Sequence, residues 1–188
     1  MPNPYRRSLV LAALLAGAAP AFAQDSKCAV LLLHAPGTGA EAVAPLARKL
    51  QPLCATRTSV AATDADIGKQ VKDLRQHGAR RVVLAGHGAA ANTVIAYAGG
   101  VGDVEAVVAI GGDAAPGDLP GLTPRIKQHI PLLWVVGSRD ALAKRGEDYA
   151  FAKAPPHPAS RYVEVKADAA NAPEASARTV GDWIKSLD

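Results

Sequence analysis

The sequence has few aromatic residues, only two cysteines and no strong excess of charge of either sign. Aromatic side chains make up 4% of its 188 residues, so a core must be built from Ala, Val, Leu and Ile. Apolar residues make up 49% and charged residues 20%, which excludes a disordered chain, a collagen-like chain and a polytopic membrane protein. The formal net charge is only +4 and no run of Lys or Arg occurs, so we expect no nucleic-acid partner.

The N-terminal segment, residues 1–23, has the three parts of a cleavable secretory signal peptide. Arg6 and Arg7 supply positive charge, residues 9–19 are apolar, and residues 21–23 form a small-x-small cleavage site. The apolar run is too short to cross a bilayer core of about 30 Å comfortably, although an uncleaved membrane anchor is the alternative. We expect export to the periplasm or exterior, with residues 24–188 forming one domain that has no membrane span.

The two cysteines, Cys28 and Cys54, each stand at the start of an apolar, strand-like run. If the two strands are parallel neighbours, both cysteines lie at the same end of the sheet, within bridging distance. An exported protein meets oxidising conditions, in which a pair of cysteines tends to form a disulfide. We therefore predict a Cys28–Cys54 disulfide; the alternative is two buried free thiols.

Apolar runs alternate with amphipathic segments along residues 24–188, as in a parallel sheet covered by helices. Thr38 and Glu41 have the spacing of a capping box before the first helix. Strict alternation predicts an α/β fold, a three-layer sandwich with about six mainly parallel strands and helices on both faces. The predicted strands are residues 29–33, 56–61, 81–85, 106–110, 132–136 and 161–165. The predicted helices are one after Thr38, one that carries Ile67, Val71 and Leu74, one over residues 89–98, one after Asp140 and one over residues 174–187.

Four motifs in this order resemble the α/β-hydrolase superfamily, although the first two strands of its sheet are absent. Residues 82–90 (VVLAGHGAA) resemble the nucleophile elbow, in which a buried strand enters G-x-S-x-G and a helix follows. Residues 31–37 resemble the strand and His-Gly turn that carry part of the oxyanion hole. Residues 131–140 resemble the strand and loop that deliver the triad acid, and residues 162–169 the last strand and the loop that delivers the triad histidine.

The chain departs from this family at the positions that perform catalysis. Gly88 stands where the resemblance implies the serine, and Ala169 stands where it implies the histidine; Asp140 matches the acid. Pro36 has no N–H to offer an oxyanion. Triad hydrolysis needs an oxygen nucleophile and a base within hydrogen-bond distance, so we expect no catalysis by the usual mechanism.

Ligands bind open α/β sheets at the carboxyl ends of the strands, and several residues are predicted to line that edge. We predict a non-catalytic protein that binds a small ligand or a protein partner there, with no cofactor and no metal. The alternatives are an esterase-like hydrolase that uses His34, His87 and Asp140, with or without a metal, and a purely structural module. The predicted binding residues are His34, Ala35, His87, Gly88, Ala89, Asp113 and Asp140.

Overall fold

The computed structural model describes residues 27–61, 63–112, 119–139 and 141–187. Residues 1–23, with the predicted signal peptide, and the predicted site residues Asp113 and Asp140 lie outside these ranges. None of the helices in the described part of the chain is long and apolar enough to span a membrane.

Six strands form one parallel sheet in the order β2-β1-β3-β4-β5-β6. Each strand lies close to its predicted position, and the central ones are buried on both faces, which explains their nearly continuous Val, Leu and Ile content. The strands are β1 Cys28–His34, β2 Ala55–Val60, β3 Arg81–Gly88, β4 Ala106–Gly112, β5 Leu132–Gly137 and β6 Arg161–Val165.

The helices cover both faces of the sheet, so the predicted three-layer sandwich is confirmed. Side chains of α2, α3 and α5 belong to one buried cluster, and side chains of α1 and α6 belong to the other. The helices are α1 Ala44–Leu50, α2 Asp64–Gln76, α3 Ala89–Gly100, the single turn α4 Leu119–Leu122, α5 Ala141–Ala152 and α6 Ala172–Lys185.

Cys28 and Cys54 form a disulfide, as predicted, with their Cα atoms 4.8 Å apart. The bond connects the start of β1 to the residue before β2. It therefore lies at the amino edge of the sheet, opposite the edge where ligands bind this class of sheet.

The predicted capping box of Thr38 and Glu41 is wrong. The hydroxyl of Thr38 donates to the carbonyl of Ala35 at 2.9 Å, and the Thr38 amide donates to the same oxygen at 3.2 Å. A short 3-10 helix, Ala40–Ala42, then precedes α1. Thr38 therefore closes the turn after β1. Its hydroxyl bonds to a nearby backbone carbonyl instead of capping a helix, an alternative that Ser and Thr side chains often take.

Candidate functional site

The turn between β3 and α3 is made by Gly88, whose backbone has φ 61° and ψ −130°. A side chain is strained in this region of the backbone map, and glycine is not. A Cβ atom built on Gly88 would have no heavy atom within 4 Å, so the turn faces open space. The chain thus makes a sharp strand-to-helix bend at residue 88 and presents only backbone there.

Close packing of α3 on β3 sets the shape of this turn. A Cβ atom at Gly86 would collide with the backbone carbonyl of Ala90, and it would lie 2.9 Å from the amide nitrogen of Ala91. Glycine at residue 86 therefore allows the first turn of α3 to pack directly on β3. Ala90 itself is buried against the strand.

The β6–α6 loop, residues 166–171, crosses the carboxyl edge of the sheet towards this turn. Close to β6 it is held by β5, because the Ser138 amide donates to the Val165 carbonyl at 2.8 Å and the Arg139 amide to the Ala167 carbonyl at 3.3 Å. Gly137 gives it room, since a Cβ there would lie 2.7 Å from the Ala167 oxygen. The loop then reaches β3, three positions away in the sheet.

At the far end of the loop, Nε2 of His87 lies 2.9 Å from the carbonyl oxygen of Ala169. A carbonyl only accepts, so Nε2 carries the proton and donates it; in the neutral ring Nδ1 then holds the lone pair. Asp168 shapes the same loop, since its carboxylate accepts from both the backbone and the side-chain amide of Asn171, at 2.9 and 2.8 Å. The structure therefore brings His87, Gly88 and Ala169 together.

His34 ends β1 on the neighbouring strand and is only 7% exposed. Its Nδ1 lies 3.2 Å from the Ala35 carbonyl, the oxygen that also accepts from Thr38. Strand register pairs Leu33 with Gly86, and His34 and His87 are the next residues along these two neighbouring strands. Ala89, the first residue of α3, is exposed at the same edge.

Solved structures with the same architecture cover most of this chain. The esterase domain of a Rhodothermus marinus protein superposes with a TM-score of 0.70 at 18% identity, over 89% of this chain and 90% of that one. Est1E from Butyrivibrio proteoclasticus gives 0.71 at 12% identity, over 86% and 89%. Dienelactone hydrolase from Anabaena variabilis gives 0.61 at 19% identity, over 84% and 85%. The chain has the α/β-hydrolase fold.

No family model matches the sequence, and no curated protein matches it. The hydrolase fold is therefore established by structure, at identities too low to transfer an activity. Within this fold, the resemblance of residues 82–90 to a nucleophile elbow is consistent with the β3–α3 turn, and Gly88 is its bend. The resemblance of residues 162–169 is consistent with the β6–α6 loop, which ends against His87.

Sequence reasoning placed His34, Ala35, His87, Gly88 and Ala89 at one edge of the sheet, and the structure brings them there. It missed Asp168 and Asn171, which shape the loop, and the contact of His87 with Ala169. No local signal reveals that contact, because 82 residues separate its partners. Within the ranges that the structure describes, no group of three or more His, Cys, Asp or Glu side chains could hold a metal.

A groove of about 510 Å³ lies elsewhere, beside the segment that connects α5 to β6. Because this segment precedes β6, the groove is at the amino edge of the hydrolase fold, away from Gly88. Its walls are Phe151, Ala152, Ala154, Pro155, Pro156, His157, Pro158 and Ser160. None of the residues predicted to bind ligand lines it.

Proposed function

We propose that this chain is an exported, non-catalytic α/β-hydrolase-fold protein that binds a small ligand at the rim around Gly88. The observation that carries the proposal is the bend at Gly88, which has a positive φ that a residue with a side chain rarely adopts, open space above it and no side chain. Covalent catalysis needs a nucleophilic oxygen or sulfur at that point, and glycine supplies none.

The second support is the partner of His87. In a working triad a histidine ring nitrogen faces the nucleophile as a base. Here Ala169 stands on the loop that the family uses for its histidine, and the ring of His87 donates to the Ala169 carbonyl instead. This hydrogen bond joins the imidazole of His87 to a backbone carbonyl, and residues 166–171 of the loop include no histidine.

Export is supported by the sequence of residues 1–23 and by the disulfide. A Cys28–Cys54 bond persists in the periplasm or outside the cell, whereas cytosolic thiols are kept reduced. We propose cleavage after Ala23. Mass spectrometry of the protein recovered from a periplasmic extract tests this, since the mature chain would begin at Gln24 with the cysteines bonded.

Ferulic acid is a suitable first probe of the rim, because one structural neighbour, Est1E, is solved with ferulic acid bound. The test combines calorimetric titration of the purified chain with ferulic acid and incubation with methyl ferulate and a panel of short-chain nitrophenyl esters. We expect no ester cleavage above buffer. Saturable binding of any panel compound that disappears in a variant with a bulky residue at position 88, Gly88→Trp, would support the rim as the site.

The second candidate is a hydrolase that uses His34, His87 and Asp140. The observation that favours it is that the two histidines follow the last paired residues of neighbouring strands, Leu33 and Gly86. The same ester panel separates the two functions. Turnover well above buffer that is lost in both His87→Ala and Asp140→Ala would establish the hydrolase and overturn the non-catalytic proposal.

A further inference from the structure

His34 and His87 each follow the last paired residues of neighbouring strands, Leu33 and Gly86, and they face the same side of the sheet. Two residues earlier on each strand, Leu32 and Ala85 both pack into the cluster beneath α1 and α6. Because side chains alternate along a strand, His34 and His87 face that same layer. Neighbouring strands are about 4.8 Å apart, so the two imidazoles project from adjacent points of one edge.

Each imidazole is also oriented by a backbone carbonyl. Nδ1 of His34 lies 3.2 Å from the Ala35 oxygen, and Nε2 of His87 lies 2.9 Å from the Ala169 oxygen. Since a carbonyl only accepts, each ring donates through that nitrogen, which leaves the lone pair on Nε2 of His34 and on Nδ1 of His87. Metal-ligating histidines characteristically donate their other ring N–H to a carbonyl or carboxylate in this way.

We propose that His34 and His87 form a two-histidine site for a divalent transition-metal ion, with Nε2 of His34 and Nδ1 of His87 as ligands and water at the remaining positions. Two nitrogens at about 2.1 Å from one ion are about 3.4 Å apart in tetrahedral geometry, a separation within reach of side chains on adjacent strands. Neutral imidazole suits Cu²⁺, Ni²⁺ and Zn²⁺, of which Cu²⁺ binds most strongly.

This inference deepens the proposed function by naming the class of ligand, and it rests on the rim being a binding site. From the sequence a metal entered only with the alternative hydrolase, because the two histidines come from separate strands with no motif spacing between them. The chemistry is binding without turnover: an ion held by two protein nitrogens has open positions, so a carboxylate or other small anion can complete its coordination.

The experiment is titration of the metal-free chain with Cu²⁺, read by calorimetry and by electron paramagnetic resonance. We expect one bound ion per chain and a resonance spectrum that shows hyperfine coupling to two imidazole nitrogens. His87→Gln is the most informative variant. The glutamine amide can still donate to the Ala169 carbonyl, whereas the Nδ1 ligand is lost. We expect at least about tenfold weaker binding and one imidazole nitrogen in this variant, as ligand-shell changes cost about 10–100-fold.

His77→Ala is the matched control, since His77 is an exposed histidine at the end of α2, and it should leave the two-nitrogen signal unchanged. His34→Asn tests the second ligand, with circular dichroism to confirm folding; the His87→Gln result stands if this buried site does not tolerate the change. The proposal is overturned by absence of saturable binding, or by binding that His87→Gln leaves intact. Ferulic acid binding without Cu²⁺ binding would overturn the metal site and leave the proposed function standing.

Discussion

The imidazole of His87 donates a hydrogen bond of 2.9 Å to the backbone carbonyl of Ala169. It joins the end of β3 to the β6–α6 loop, across the carboxyl ends of β4 and β5. The loop is thereby held beside the bend at Gly88, in the region where the family resemblance implies a catalytic histidine. The predictions below test this relationship and the packing on which it depends.

Removing the His87 ring should loosen the β6–α6 loop with a small loss of stability. A hydrogen bond contributes about 0.5–1.5 kcal/mol, and this one is exposed, so we expect His87→Ala to cost no more than about 1 kcal/mol. Hydrogen exchange of residues 167–171 should become faster. His87→Gln, which retains a donor, should keep the protection, and equal exchange in all three proteins would contradict the tether.

Replacing Gly86 with alanine should destabilise the fold strongly, because the new Cβ would collide with the carbonyl of Ala90. Overpacking typically costs about 1–3 kcal/mol, and a backbone carbonyl cannot rotate out of the way as a side chain can. Gly146→Ala is the matched control, since a Cβ there meets nothing within 4 Å and the residue lies inside α5. It should stabilise by about 0.5–1 kcal/mol. Urea unfolding measures both, and similar effects at the two positions would refute the close helix–strand contact.

Installing a serine at the bend should not by itself create an esterase. Gly88→Ser has space for the side chain but costs about 1–3 kcal/mol in backbone strain, and the β6–α6 loop carries no histidine to act as its base. Adding Ala169→His supplies a base from the β6–α6 loop, so the double variant should show measurable nitrophenyl ester hydrolysis. Gly88→Ala with Ala169→His is the control. Activity in that control would mean that the serine is not the nucleophile.

Reducing the Cys28–Cys54 disulfide should lower the free energy of unfolding by about 3.5 kcal/mol, since the bond closes a chain separation of 26 residues. Unfolding in urea with and without dithiothreitol measures the difference. The double variant Cys28→Ala, Cys54→Ala should not respond to dithiothreitol. If dithiothreitol also leaves the unfolding of the wild-type protein unchanged, the disulfide contributes nothing to stability.

Stability should fall at alkaline pH because of Tyr97. Burial, and then its 2.6 Å hydrogen bond to Asp103, raise the pKa of the Tyr97 phenol well above its ordinary value. The unfolded chain therefore loses this proton first, so the stabilisation is complete below about pH 10 and declines as pH rises through the higher folded-state pKa. Tyr97→Phe should make the fall of the unfolding free energy between pH 9 and 11.5 shallower. Burial also raises the pKa of the Tyr162 phenol, so part of the fall should remain in this variant. Tyr149→Phe, at a ring that is 55% exposed, is the control.

The sheet was predictable because its strands are continuous apolar runs and its helices have regular apolar faces. Ile67, Val71 and Leu74 share one buried face of α2, as their spacing indicates. Thr38 was misassigned because a hydroxyl three residues before a glutamate predicts a helix cap, whereas here the turn after β1 takes the same hydroxyl.

The site was predictable in its location and less so in its contacts. Parallel strands bring their carboxyl ends to one edge, so His34 and His87 could be placed there from the sequence. Their pairing depends on the register of β1 with β3, and the contact with Ala169 depends on how far the β6–α6 loop crosses the sheet. Neither the strand register nor the path of the loop can be predicted from the local sequence.

The absence of a nucleophile at residue 88 can be tested directly with a fluorophosphonate probe, which forms a covalent bond with activated serine. Intact-protein mass spectrometry should show no added mass on the wild-type chain, and one probe on the Gly88→Ser, Ala169→His variant, located at residue 88. Stoichiometric labelling of a serine in the wild-type protein would reveal a working nucleophile elsewhere and would contradict a non-catalytic hydrolase fold.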